Sequence, residues 1–352
     1  MGFPHTRQNG FDTGHGAKGN CEKMWKFLVR RLFLSIVILF IVALIIYTIL
    51  RSLPTSYIES IARERSMLPG SKSYSEILAQ LKSIYKMDGG VIEGFFGWVG
   101  GSLLKGDFGE SWCYNVPVVQ KFKEVIWDSF TLGVLSLILE LVIAIPLGIL
   151  AARKQYSRTD YAVTVFALVG ISLPSFFFAT LLKLGFAYKL GWVEPVGKVS
   201  RFFDQLTPFG QTLDIASHFI LPTLTLTIVS IGFLMRYTRT NMLEVLNSDY
   251  IRTARAKGLS EKVVVNKHAF RNTLIPIITI VGGTLPSLFS GAMITEQLFS
   301  IPGIGYTSYQ AMIVGDIPFS MFYMLFLAAL TLLGTLIADI LYAVVDPRVR
   351  VN

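Results

Sequence analysis

Hydrophobic positions in this chain gather into long unbroken runs, without the strict alternation of half-buried strands. The runs occupy residues 32–50, 129–152, 161–182, 215–235, 274–295 and 319–345, and the only Asp, Glu, Lys or Arg inside them are Glu140 and Asp339. A hydrocarbon core about 30 Å thick takes roughly 20 apolar residues of helix, and backbone polar groups in lipid must be satisfied within the protein. The pattern therefore predicts an all-α integral membrane protein with about six transmembrane helices. Between the first two, Ile77, Leu78, Leu81, Ile84 and Tyr85 fall on one face of a helix over 75–86. The patch Phe95-Phe96-Gly97-Trp98-Val99 has the aromatic character of a membrane interface.

Lys and Arg in short loops set orientation. Arg7, Lys18, Lys23, Lys26, Arg30 and Arg31 precede the first run; Arg153, Lys154 and Arg158 separate the second and third; eight basic residues lie between Arg236 and Arg271; Arg348 and Arg350 close the chain. The alternate loops are poor in Lys and Arg, with none between Gln297 and Pro318. Both termini are expected to be cytoplasmic. The expected division is a flexible tail over 1–24, a first transmembrane helix over 25–51, an extracytoplasmic insertion over 52–128, a five-helix core over 129–347 with a cytoplasmic loop at about 239–273, and a short cytoplasmic end over 348–352. The first run reads as a retained helix, because it exceeds a signal-peptide core and Arg51-Ser52-Leu53-Pro54 offers no small-residue cleavage site.

Composition agrees with lipid as the solvent. Hydrophobic residues make up 52% and charged residues 16%, against about 25% charged in soluble domains. The net charge of +9 is largely this topological bias, so it gives no support to a nucleic-acid partner. Cys21 and Cys113 cannot build a disulfide framework, and neither a metal motif nor a cofactor motif is present. The four histidines, His5, His15, His218 and His268, have no converging nucleophile or acid in the pattern, so no catalytic residue is expected.

Ionisable residues inside spans face protein or water, since lipid penalises them. Glu140 reads either as a pathway residue or as a protonated packing contact. Asp339 carries the same two readings, with helix-end anchoring favoured by its position. Pro146, Pro174 and Pro286 predict kinks in the second, third and fifth helices. Lys183, at the end of the third, is placed to snorkel.

The most informative stretch lies between the fourth and fifth runs, Asn247-Ser-Asp-Tyr-Ile-Arg-Thr-Ala-Arg-Ala-Lys-Gly-Leu-Ser-Glu-Lys-Val-Val-Val-Asn-Lys-His-Ala-Phe-Arg-Asn272. It reads as two short helices, the first ending at Gly258 in a left-handed turn and the second capped by Ser260. Ala254 and Gly258 form a small-residue notch, flanked by Arg252, Arg255, Lys257, His268 and Arg271.

This stretch resembles the EAA loop of binding-protein-dependent ABC permeases, whose pattern is Glu-Ala-Ala, three residues, Gly, nine residues, then Ile-x-Leu-Pro. Ala254 and Gly258 keep its register; Arg252 and Thr253 replace Glu and the first Ala, and His268, Phe270 and Arg271 replace Ile, Leu and Pro. Thr-Ala-Arg-Ala-Lys-Gly-Leu followed by His-Ala-x-Arg-Asn is similar to the dipeptide and oligopeptide branch. So are Gly106-Asp107-Phe108-Gly109-Glu110-Ser111, Ile145-Pro146-Leu147-Gly148, Ile171-Ser172-Leu173-Pro174-Ser175-Phe176, Ile301-Pro302-Gly303-Ile304-Gly305 and Asp346-Pro347-Arg348, in order and spacing.

The resemblance implies a type I importer permease in a prokaryotic inner membrane. Its implied partners are a second, similar permease, two cytoplasmic ATPases whose groove takes the EAA loop, and an extracytoplasmic substrate-binding protein. The cargo it implies is peptide, with nickel chelates and sugars as alternatives. No G-x-x-x-x-G-K-[ST] occurs, so the chain has no phosphate loop of its own. A secondary transporter is the rival from another class, and it calls for an internal repeat that the sequence does not show.

Overall fold

The computed structural model describes residues 13–52, 57–85, 87 and 89–345. The expected tail over residues 1–12 and the Asp346-Pro347-Arg348 motif lie outside the described residues. The first run belongs to a longer helix, α1 (Thr13–Ser52), which begins inside the segment expected as a tail. Three short helices follow, α2 (Tyr57–Ser66), α3 (Tyr74–Ile84) and α4 (Val91–Lys105). A small antiparallel pair, β1 (Glu110–Ser111) and β2 (Val116–Pro117), sets Glu110 opposite Pro117 and Ser111 opposite Val116. Then come α5 (Val118–Arg153), α6 (Arg158–Ser172), α7 (Ser175–Leu182), α8 (Pro208–Leu246), α9 (Asp249–Ala256), α10 (Glu261–Val263), α11 (Phe270–Thr284), α12 (Met293–Phe299), α13 (Ile304–Val314) and α14 (Ile317–Val345).

Among the described residues four helices are long and apolar enough to cross a bilayer alone, α1, α5, α8 and α14, and counting each of two bent pairs as one span brings the number to six. The bends bear out the kink expected in the third helix at Pro174 and move the one expected in the fifth from Pro286 to Pro276. α5 continues as one helix through Pro146; Ala144 and Gly148 on either side of it are buried, Gly148 against Met235 and Thr238 of α8. The third span breaks by 104° between α6 and α7, because Pro174 drives Leu173 into extended backbone (φ −101°, ψ 139°). The fifth bends by 46° at Pro276, and Pro286 sits in a 3-10 turn over Leu285–Phe289. The fifth helix therefore stops at Thr284, short of the expected 295, and the rest of the run becomes the turn and α12.

α8 is the axis. Its 39 residues extend about 58 Å at 1.5 Å per residue, nearly twice the roughly 30 Å hydrocarbon core. Of its apolar window 61% is buried, against 11–17% for the other long spans, so α8 is enclosed by protein while α1, α5 and α14 show side chains to lipid. Ala144 and Ala151 of α5, Val163 and Ala167 of α6, Ile231, Leu234 and Met235 of α8 and Ile277 of α11 form the central core. Gly232 comes so close to the Ala167 carbonyl that a Cβ would overlap it. The buried hydroxyls of Thr225 and Thr227 are satisfied by their own helix, donating to Leu221 and Thr223 carbonyls at 2.8 Å.

The insertion is fastened to α1 and α14. Ile58, Ala62, Ile77, Leu81, Phe95 and Trp112 share a core with Ala43, Tyr47 and Leu50 of α1 and Met321 of α14. The Arg51 guanidinium donates to the carbonyls of Met87 (2.8 Å), Gly89 (2.6 Å) and Gly90 (3.3 Å). In the expected interface patch, Phe95 is buried between Phe40 and Tyr47, with ring centroids 5.4 and 5.6 Å away, while Phe96 stays exposed. Arg31 of α1 and Asp339 of α14 form an ion pair at 2.8 Å, which lays the first half of α1 beside the last turns of α14.

Candidate functional site: an internal cavity and a projecting turn

Between α5, α8, α11 and α12 lies a cavity of about 640 Å³. Its walls are largely aliphatic and aromatic, with serine and threonine hydroxyls and one carboxylate. That carboxylate is Glu140, half-buried on α5 with Ser230 of α8 beside it. No other ionisable side chain lines the cavity among the described residues. Three of its hydroxyls place their hydrogens on backbone carbonyls: Ser136 donates to Gly133 O (2.9 Å), Thr284 to Val281 O (2.9 Å) and Ser287 to Thr284 O (2.6 Å); Ser230 reaches both Leu226 O (3.1 Å) and the Glu140 carboxyl.

One end of the cavity is built around a second carboxylate that the sequence reading did not single out. Glu296 is fully buried on α12. It accepts from Ser129 Oγ (2.6 Å), Ala292 N (2.9 Å) and Tyr306 N (2.8 Å), and Ser129 Oγ accepts in turn from Ile304 N (2.8 Å). The carboxylate thus ties α5, α12 and α13 at one point. The Pro302-Gly303-Ile304-Gly305 run is explained here, since a Cβ on Gly303 would overlap the Glu296 carboxyl. Its signal in the sequence was a lone acid at the end of an apolar run, seven residues before the first of those glycines.

At the far end of α8 the chain turns through the loop singled out in the sequence. α9 ends at Ala256, and Gly258 takes φ +75° with nothing within 4 Å of where a Cβ would lie. Ser260 precedes α10 with cap-like backbone (φ −62°, ψ 145°). The second helix differs from expectation, because α10 passes into a π-helical segment, Val264–Ala269, before α11. Across the turn, Arg255 Nε and Nη2 donate to Glu261 at 3.2 and 2.9 Å. Both side chains are about half exposed, so the pair contributes at most about 1 kcal/mol and serves to hold the turn's shape.

Arg252, Arg255, Lys257 and Arg271 are exposed and His268 is half-buried. Ala254 departs from the expected notch. It is buried with Ile251, Val264, Val265 and Ala269 against Ala152, Met242 and Leu246, because the amphipathic α9 turns its apolar side onto the ends of α5 and α8. Gly258 alone is open, flanked by exposed Leu259 and Val263. Asp339, the other intramembrane acid, is held by Arg31 away from the cavity.

A partly buried ion pair, also unforeseen, fixes α6 to α8 near this loop. Asp160 accepts from Arg239 Nε (2.7 Å) and Nη2 (2.8 Å) and from Tyr156 N (3.0 Å). The legible sign was Ser157-x-x-Asp160, a capping pair that starts α6, with Ser157 Oγ accepting from Asp160 N at 3.3 Å.

Residues 144–351 match the family described as "Binding-protein-dependent transport system inner membrane component". The chain is 35% identical over 328 residues to the oligopeptide transport system permease protein AppB of Bacillus subtilis, spanning 93% of this chain and 100% of that one. It is 32% identical over 343 residues to the dipeptide transport system permease protein DppB of Escherichia coli, spanning 93% and 99%. Among solved structures, a chain of the inward-facing MetNI methionine ABC transporter superposes with a TM-score of 0.50 at 16% identity, covering 65% of this chain and 97% of that one. At that identity the likeness is one of fold.

Proposed function

The chain belongs to the family of binding-protein-dependent transport system inner membrane components, and on that premise we propose that it forms half of the peptide pathway of an ABC importer. It is a multi-pass inner-membrane protein of a transport permease family. Peptide cargo is read from relatives named for oligopeptide and dipeptide transport, which the chain matches over 93% of its length. A second, homologous permease completes the cavity, two ATPases dock at the turn around Gly258, and an extracytoplasmic binding protein delivers the cargo. The chain itself makes and breaks no covalent bond.

One observation carries this reading. α8 contributes Leu226, Ser230 and Leu234 to the cavity wall and continues unbroken to Leu246, where α9 and the turn begin. A push at Gly258 therefore reaches the cavity through a single helix, and the Asp160–Arg239 pair carries α6 with it. Alternating access follows: closure of the ATPases moves the turn, α8 rocks, and the cavity opens to one side and then the other. The basic turn belongs on the cytoplasmic side by the positive-inside bias, and the Arg31–Asp339 pair supports placing both termini there.

The test is assembly and transport. The tagged chain, expressed with its genomic neighbours, should retain an ATPase and a second permease through purification, and proteoliposomes should take up peptide only with ATP and binding protein. Purification of a chain that retains no ATPase and carries solute on an ion gradient would contradict the reading.

A further inference from the structure

We propose that Glu140 is a transient binding site for a primary ammonium group of the cargo as it crosses the cavity. The inference rests on the peptide reading above and adds which end of the molecule the cavity recognises. Three hydroxyls of the wall, on Ser136, Thr284 and Ser287, spend their hydrogens on backbone carbonyls three residues earlier in their own chain, while Ser230 lies within hydrogen-bond reach of Glu140 itself. Their oxygen lone pairs remain for an occupant. Ser129, at the end of the cavity, likewise donates inward to Glu296. The polar part of the wall is therefore rich in acceptors, and its one ionisable side chain among the described residues is the Glu140 carboxyl.

Such a wall fits donors. An ammonium presents three N–H groups and no lone pair, and it can bond the Glu140 carboxylate while offering its other hydrogens to Ser230 and water. A carboxylate occupant would meet lone pairs facing lone pairs and a like charge. The cations nearest in kind are engaged elsewhere: Lys198 pairs with Asp128 at 2.6 Å, and Lys183 donates to Leu298 O at 2.7 Å beside the Phe299 ring. Neither lines the cavity. The aliphatic remainder, including Leu137, Val229 and Ile280, accepts side chains without discriminating among them. The cavity thus reads the charged end of a cargo and leaves its side chains unread.

The ammonium has two sources in a peptide, the amino terminus and a lysine side chain, and the experiment separates them. The complete importer, reconstituted with each peptide loaded to saturation on its binding protein, is given a lysine-free tripeptide, its N-acetyl form, and an N-acetyl tripeptide containing lysine. In the wild type, free and lysine-bearing peptides should enter faster than the acetylated lysine-free one. Glu140→Gln should lower the ratio of free to acetylated uptake about tenfold, the worth of one charge-assisted hydrogen bond, by slowing the charged peptides and leaving the acetylated rate within about twofold. Glu140→Asp should restore the ratio, and Ser230→Ala, which keeps the charge, should lower it by about threefold or less.

If only the amino-terminal peptide shows the effect, the site takes the α-ammonium; if both charged peptides do, it takes either. An unchanged ratio in Glu140→Gln, or equal loss for all three peptides that Glu140→Asp does not restore, would reduce Glu140 to a packing contact and overturn the inference while peptide transport stands. Failure of the assembled wild type to take up any of the three would instead remove the peptide reading, and this inference with it.

Discussion

Glu296 is buried with no basic partner among the described residues, and it is held by two backbone N–H groups and a hydroxyl instead. That arrangement is demanding, because each oxygen has an assigned donor and the neighbouring glycines leave no spare room. Gly303→Ala should destabilise the purified subunit by about 1–3 kcal/mol through overpacking, read as a lower thermal midpoint in detergent; an unchanged midpoint would mean that the Glu296 contacts give way freely. Neither Glu296 nor its partner Ser129 was legible as a pair in the sequence, since 167 residues separate them and only the folded chain brings them together. Cys113 offers a second residue-scale test. Burial, and then the nearby Asp316 carboxylate, push its thiol above the ordinary value. The thiolate is the reactive form, so little of it exists at neutral pH. Labelling by an impermeant maleimide should be slow at pH 7 and keep accelerating beyond about pH 9, the region where an ordinary thiol saturates. In sealed spheroplasts it should reach Cys113 and spare Cys21; labelling of Cys21 would reverse the proposed topology.

At the scale of elements, the apolar runs located every span but misjudged their ends. Residues 215–235 marked only the middle of α8, because its extension beyond the apolar stretch is stabilised by Asp160, the buried Thr238 and Met242, and the α9 packing, contacts that hydropathy does not register. Prolines misled for a similar reason. Whether a proline bends a helix depends on what the neighbouring helices can satisfy, so Pro174 breaks its span and Pro146 does not. Gly258 was read correctly as a left-handed turn because its backbone conformation is a local matter, whereas Ala254 was assigned to the same open face because the helix's buried side cannot be read from small residues alone. The Asp160–Arg239 pair gives the element-scale prediction. Arg239→Ala leaves a buried, unpaired carboxylate and should cost about 3 kcal/mol, somewhat less for the partial exposure of the arginine, measured again by thermal midpoint. It should also weaken coupling, raising ATP hydrolysed per peptide transported in the reconstituted importer. Wild-type stability and stoichiometry together would remove the pair from the lever.

For the whole molecule, α8 joins the cavity to the turn, with α1 and the inserted helices fastened on one flank and eight basic residues between Arg236 and Arg271 around the turn proposed to dock the ATPases. Gly258 is where that coupling is most exposed to test. Because a Cβ there would have no atom of the described residues within 4 Å, Gly258→Ala should cost only about 1 kcal/mol or a little more for the positive φ, and loss of ATPase retention with normal insertion points to a partner. The decisive measurement is ATPase retention and substrate-stimulated ATP hydrolysis in the reconstituted complex carrying Gly258→Trp. That variant should insert and pair with the second permease normally, with ATPase retention weakened or stimulated hydrolysis abolished. Wild-type retention, hydrolysis and transport in that variant would contradict the coupling.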